Sequence, residues 1–334
     1  MRDLKDYQNC ALPETIEFIQ GKGSLPLLHI CNRYAECSVY LYGAHIASFK
    51  PRDNKELLWL SPYSQFSEGT PIRGGIPICF PWFSKHRTMD NLPLHGFVRT
   101  RFWNLESAED FPDGRTKIVL NTESQEPLPD SWPYHFRLTI TIIVGEKLEI
   151  ALVIQNLENR PIVCEDGFHT YFKVENPQKC QVKGLDSIDY IDRTKGEIRK
   201  KQNGPAYFEG EMVHAFMHAP QRLELVDLVD HQRICIEQEN MDSTVLWNPG
   251  EYASAANPEI LGTWNQFVCI ESTNCMDCQL NIPPLGSHYS ILRLSSISFD
   301  AEEEYEKEQG RLREEALDEP EDKDRSSKTR KVLY

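Results

Sequence analysis

Apolar and polar residues alternate with a period of two along most of the chain, the pattern of strands that bury one face. The clearest instance is FRLTITIIVGEKLEIALVIQNL, residues 136–157. Phe136, Leu138, Ile140, Ile142 and Val144 share one face, Gly145 and Glu146 turn the chain, and Leu148, Ile150, Leu152 and Ile154 return, which predicts a hairpin. Shorter runs of the same kind are VYLYGAHIASF, TKIVLN, VCEDGFHTYFKV, RLELVDL, RICIEQ, TVLWN, FVCIES and SILRLSS. They continue to about residue 298, separated by Gly, Pro and Asx turns, and helical periodicity is nearly absent before residue 300. The expectation is an all-β chain, one large antiparallel β-sandwich over residues 1–299.

The last segment, 300–334, breaks the pattern. It carries 13 acidic and 8 basic residues and few apolar ones, so it is expected to be a charged tail, a short helix or disordered. At 334 residues with 40% hydrophobic and 10% aromatic content, the chain has the composition of a folded globular protein. A net charge of −15 argues against a nucleic-acid partner, because phosphate-backbone binding needs a dense basic face. The first residues lack an apolar signal-peptide core, and no run of about 18 apolar residues occurs, so neither a leader nor a membrane partner is expected. Ten cysteines scattered through strand-like runs suit buried thiols and a cytoplasmic location. Cys275 and Cys278 have CxxC spacing without a second pair, which favours structural thiols over a metal site.

Three stretches carry candidate chemistry. IRGGIPICFPWF (72–83) and LPLHGFVRTRFW (92–103) set Arg73, His95, Arg99 and Arg101 among aromatic residues. Aromatic faces cover the C–H patches of a sugar, while arginine forks bind hydroxyls or phosphate. A turn with surface arginines fits the same residues, and the pattern leaves both open. In EDGFHTYF, His169 could serve as a general acid at neutral pH, with Glu165 and Asp166 as orienting partners, or could be a satisfied core histidine. In FVCIES, Glu271 ends a strongly apolar run, where desolvation raises a carboxyl's pKa toward that of a general base; a solvated strand end is the alternative. Asp192, in the turn-like YIDR, could accept hydrogen bonds from sugar hydroxyls.

Taken together, YGAHIASF, LLWLSP, IRGGIPICFPWF, LPLHGFVRTRFW, EDGFHTYF, YIDRT, VLWNP and FVCIES resemble, in order over about residues 17–297, the hexose-6-phosphate mutarotase branch of the galactose-mutarotase-like superfamily. The resemblance implies a β-sandwich isomerase, active as a monomer without a cofactor or metal, that interconverts the α and β anomers of a hexose 6-phosphate. It implies His169 and Glu271 as catalytic residues and Arg73, His95, Arg99 and Asp192 as substrate contacts. Leu94, Asn265 and Ser272 depart from the branch's usual Gln, Asp and Pro. Two other classes fit the residues: a sugar-phosphate-binding sandwich without turnover, and a glycoside hydrolase, which would need two facing carboxylates.

Overall fold

A computed structural model of the chain describes residues 13–299. The charged segment 300–334, expected to form a tail, lies outside the described residues, as do residues 1–12. The described chain is nearly all antiparallel strand, and its one α-helix is the seven-residue Gly250–Ala256. No helix among the described residues is long and apolar enough to cross a bilayer.

Two large sheets form a sandwich. A nine-stranded sheet runs from Ala206–Tyr207 at one edge to Asn104–Asp110 at the other, and Phe136–Val144 pairs with Leu148–Asn156 inside it. This is the hairpin expected from the alternating pattern: both strands show strict alternation of buried and partly exposed residues, with Val144 opposite Leu148. An eight-stranded sheet has the order Ile198–Lys201, Asp189–Asp192, Met212–Met217, Ser243–Asn248, Phe267–Asn274, Asp166–Phe168, Ile78–Cys79, with Tyr171–Lys173 also paired to Phe267–Asn274. Leu138, Ile140, Ile150 and Leu152 of the first sheet share one buried cluster with Phe168, Phe216, Leu246, Val268 and Ile270 of the second. A separate four-stranded sheet runs from Ile16–Gln20 to His45–Pro51.

Strand Phe267–Asn274 is buried at all eight positions. Its even-numbered residues Val268 and Ile270 enter the sandwich core, so the period of two sends Cys269 and Glu271 to the other face. Cys269 on that second face packs with Trp59, Tyr171 and Ile260, so the strand is buried on both faces and reads as a continuous apolar run. Glu271 therefore sits inside the strand, not at its end as the sequence pattern suggested, because pairing with Ser243–Asn248 and Asp166–Phe168 carries the ladder on to Asn274. Two other expected strands are divided. VYLYGAHIASF turns at 41–44 between Ala35–Tyr40 and His45–Pro51, and VCEDGFHTYFKV breaks into Ile162–Cys164, Asp166–Phe168 and Tyr171–Lys173.

Candidate active site

The break in VCEDGFHTYFKV places the central pair. Phe168 pairs with Ser272 on one side of the gap and Tyr171 with Cys269 on the other. The two ladders keep one register, so His169, in the gap, lies opposite Glu271. Directly opposed residues bring their side chains within contact distance, and here His169 Nε2 is 3.5 Å from Glu271 Oε1. Both residues are buried. His169 donates its backbone N–H to Pro77 O at 3.0 Å, and its ring stacks on Tyr171 with centroids 4.8 Å apart and planes 10° from parallel. Its Nδ1 and the second carboxylate oxygen of Glu271, Oε2, have no hydrogen-bond partner.

Such groups are costly to bury, and they wall a cavity of about 250 Å³. Burial holds the Glu271 carboxyl well above its ordinary pKa, with Arg99 opposing the shift. Burial, then the charges of Arg99 and Arg73, holds the His169 imidazolium well below its ordinary value. Displaced titration of two facing groups in a cavity is the arrangement acid–base chemistry requires.

Gly74 and Gly75 bring Arg73 to the cavity. Both have positive φ, at +102° and +61°, and a Cβ on Gly75 would lie 2.2 Å from Ile46 O. Only glycine fits there, and the tight turn lets Gly75 N–H donate to Trp59 O while Gly75 O accepts from Tyr171 N–H. Arg73 Nε and Nη2 both donate to Glu259 Oε2, at 3.2 and 2.6 Å, and Nη1 donates to the Tyr171 hydroxyl at 3.0 Å. His95 faces the cavity with its ring 4.9 Å from that of His169. Its Nδ1 accepts from Ser84 N–H at 3.2 Å, so the neutral ring carries its proton on Nε2. Burial and the neighbouring His169 hold its pKa well below the ordinary value, which keeps it a neutral donor. Trp247, Asn257 and Arg193 line other parts of the cavity, and Leu94 forms part of its rim.

Some candidates are placed elsewhere. Arg99 is buried, donates from Nη2 to Leu94 O at 2.7 Å, and is not among the cavity-lining residues; it acts on the central pair through its charge. Asp192 is turned away from the cavity, 2.6 Å from Lys200 Nζ and 3.6 Å from His214 Nε2. The Lys200 hydrogen bond holds its carboxyl well below the usual range. A one-residue step along a strand changes faces, and the neighbour, Arg193, is the residue that faces the cavity. Glu165 and Asp166 do not orient His169. Glu165 accepts from the backbone N–H groups of Phe83 and Met276, and Asp166 accepts from Asn274 Nδ2 and Ser290 Oγ. Asn265 lies in a 3-10 turn and Ser272 faces away from the cavity. Cys275 and Cys278 are free buried thiols. His169, Cys269 and Glu271 place ligand atoms within 4.8 Å of one another, but burial raises the Cys269 thiol well above its ordinary pKa, which opposes the thiolate a metal would need.

Sequence reasoning missed Glu259, Tyr171, Trp247 and Arg193 as site residues. Tyr171 lies two residues from His169 in the same motif, Trp247 and Arg193 reach the site through pairing between distant strands, and Glu259 reaches it from a turn through Arg73.

A family model for aldose 1-epimerase matches residues 26–277. The chain belongs to the aldose 1-epimerase family. Among curated relatives, provisionally named glucose-6-phosphate 1-epimerases of Cenchrus ciliaris and Escherichia coli are each 30% identical. The first match covers 70% of this chain and 73% of the relative, the second 76% and 85%. The same sandwich fold is seen in solved structures. A provisionally assigned mutarotase from Salmonella typhimurium superposes with a TM-score of 0.80 at 24% identity, covering 87% of this chain and 96% of the other. A galactose mutarotase-like protein from Clostridium acetobutylicum gives 0.66 at 13%, covering 85% and 98%.

Proposed function

We propose that the protein interconverts the α and β anomers of a hexose 6-phosphate, glucose 6-phosphate foremost, by opening and reclosing the sugar ring between Glu271 and His169. The observation that carries this is the opposed pair itself: a carboxyl and an imidazole 3.5 Å apart, each with a buried unpartnered atom, on the wall of a sugar-sized cavity. Among the described residues Glu271 is the one carboxylate lining that cavity, which does not suit the two-carboxylate hydrolase.

Mutarotation removes the proton of the O1 hydroxyl and delivers one to ring oxygen O5. In the productive arrangement Glu271 is a carboxylate and His169 an imidazolium. Glu271 takes the O1 proton and His169 protonates O5, so that the C1–O5 bond breaks as the C1–O1 double bond forms. The pair is then a neutral carboxyl and a neutral imidazole. These are the forms that burial favours, so the site stabilises the open-chain intermediate relative to the ring. Rotation about C1–C2 presents the other face of the aldehyde, and reversed transfers close it. One proton circulates and none need come from solvent. Each positioned acid or base contributes on the order of 10² to 10⁴ in rate. His95 Nε2–H and the remaining N–H groups of Arg73 serve as neutral and charged donors to the sugar's hydroxyls.

The test is two-dimensional exchange NMR on glucose 6-phosphate, galactose 6-phosphate and free glucose. Faster α/β exchange is expected for the phosphorylated sugars, and first for glucose 6-phosphate. Binding with no acceleration of exchange in any of them would replace this proposal with a non-catalytic sugar-phosphate receptor.

A further inference from the structure

Resting on the sugar-phosphate reading above, we infer that Arg193 is the residue that selects phosphorylated sugars, taking the 6-phosphate, whereas Arg73 holds the sugar body. A phosphate dianion needs a cation whose charge is not already balanced. Arg73 is balanced: Glu259 accepts from two of its nitrogens, Tyr171 occupies the third, and both members of the ion pair are equally withdrawn from solvent at 18% exposure. Among the described residues Arg193 has one ion-pair partner, Glu197, whose Oε1 is 3.3 Å from its Nε. That counterion is 64% exposed and free to leave, while Arg193 itself is 30% exposed and lines the cavity.

The register sets the span. Arg193 N–H donates to Val213 O, Val213 pairs with Trp247, and Trp247 pairs with Cys269, so the four residues form one row across four strands. Three strand spacings separate Arg193 from the Glu271 strand, about 14 Å between backbones. The side chains close part of that distance, leaving the length of a pyranose ring and its phosphate arm. Val213 and Trp247 provide the apolar floor between. Along residues 193–201, Lys200 is already paired with Asp192 at 2.6 Å, so Arg193 is the cation of this segment that lines the cavity. Arg199 ties the same segment, at 2.6 Å, to Asp277, next to the cavity-lining Met276.

Calorimetric titration of Arg193→Ala and Arg73→Ala with glucose 6-phosphate, free glucose and inorganic phosphate separates the roles, because binding is read without turnover. Arg193→Ala is expected to weaken glucose 6-phosphate roughly tenfold or more, the scale of a lost charge-assisted hydrogen bond, and free glucose far less; inorganic phosphate should follow glucose 6-phosphate. Arg193→Lys should restore part of the loss. Arg73→Ala should weaken glucose and glucose 6-phosphate alike. An equal effect of Arg193→Ala on both sugars, or a phosphate-selective loss in Arg73→Ala instead, overturns the assignment. So does a wild-type protein that binds the two sugars equally. Selective binding that depends on Arg193 but brings no anomer exchange would overturn the catalytic proposal and leave the phosphate site standing.

Discussion

Glu271 and His169 show what a residue's type announces and what only pairing reveals. A glutamate in an apolar run and a histidine among aromatics were visible in FVCIES and EDGFHTYF. Their meeting depends on a register spanning about a hundred residues, which no local pattern encodes. Asp192 lies off the cavity for the complementary reason: in a period-two element the choice between Asp192 and Arg193 is a choice of face, and one residue of uncertainty in register inverts it. The displaced pKa values give the pair a pH signature. Burial disfavours adding a second proton, which would leave imidazolium beside neutral carboxyl, and equally disfavours losing the last one. The exchange rate is therefore expected to be bell-shaped with a broad plateau. Its acid limb lies well below the ordinary histidine value of about 6.5 and its alkaline limb well above the ordinary glutamate value of about 4.3. An acid limb at the ordinary histidine value, seen in exchange rates across pH, would contradict a buried His169 in the mechanism. The same burial costs stability. A carboxyl whose folded-state pKa is raised loses stability as pH rises from its unfolded value through the folded one, so at neutral pH Glu271 destabilises the fold. Glu271→Gln keeps the shape without the titration and is expected to gain about 1 kcal/mol in denaturant unfolding at pH 7.

At the scale of elements, alternation was the most legible feature. The hairpin of Phe136–Val144 and Leu148–Asn156 falls where its pattern placed it, because each strand has one buried face and the period expresses it directly. The VCEDGFHTYFKV stretch was misleading because the three short strands it spans or overlaps answer to different partners: Ile162–Cys164 pairs with Leu280–Ile282, and the other two with Phe267–Asn274. Its two carboxylates are fixing points. Glu165 joins two cavity-lining segments from behind, accepting from Phe83 N–H at 2.8 Å and Met276 N–H at 2.9 Å, and also from Arg87. Glu165→Ala strands both backbone donors, at about 1–3 kcal/mol each. Thermal unfolding should register that loss, and exchange kinetics should show a lower rate with an unchanged pH profile, since no titrating group of the pair is touched. A variant as stable as the parent would mean that water replaces the carboxylate without cost.

For the whole molecule, the all-β sandwich was legible because composition, alternation and turn residues agree. The order of strands was not, because the site sheet joins Ile78–Cys79 to Asp166–Phe168 and these to Phe267–Asn274 across long intervals of chain. Charge belongs to this scale too. The overall charge of −15 repels an anion, while under the proposal the cavity-lining Arg73 and Arg193 attract a phosphorylated sugar locally. Interactions between partly exposed charges are largely screened beyond a Debye length, about 8–10 Å near physiological salt and shorter as salt rises. Raising salt from low to high should therefore weaken glucose 6-phosphate binding by several-fold and leave glucose binding nearly unchanged in parallel titrations; equal sensitivity would place the phosphate away from these cations.

The pair of Glu271 and His169 is the centre of the account, and α/β exchange of glucose 6-phosphate by NMR, in the parent protein and in Glu271→Gln, tests it most directly. Clear acceleration over the uncatalysed exchange is expected from the parent and a loss on the order of 10² or more in the variant, with the fold intact by circular dichroism. A folded Glu271→Gln protein that exchanges the anomers as fast as its parent would contradict it.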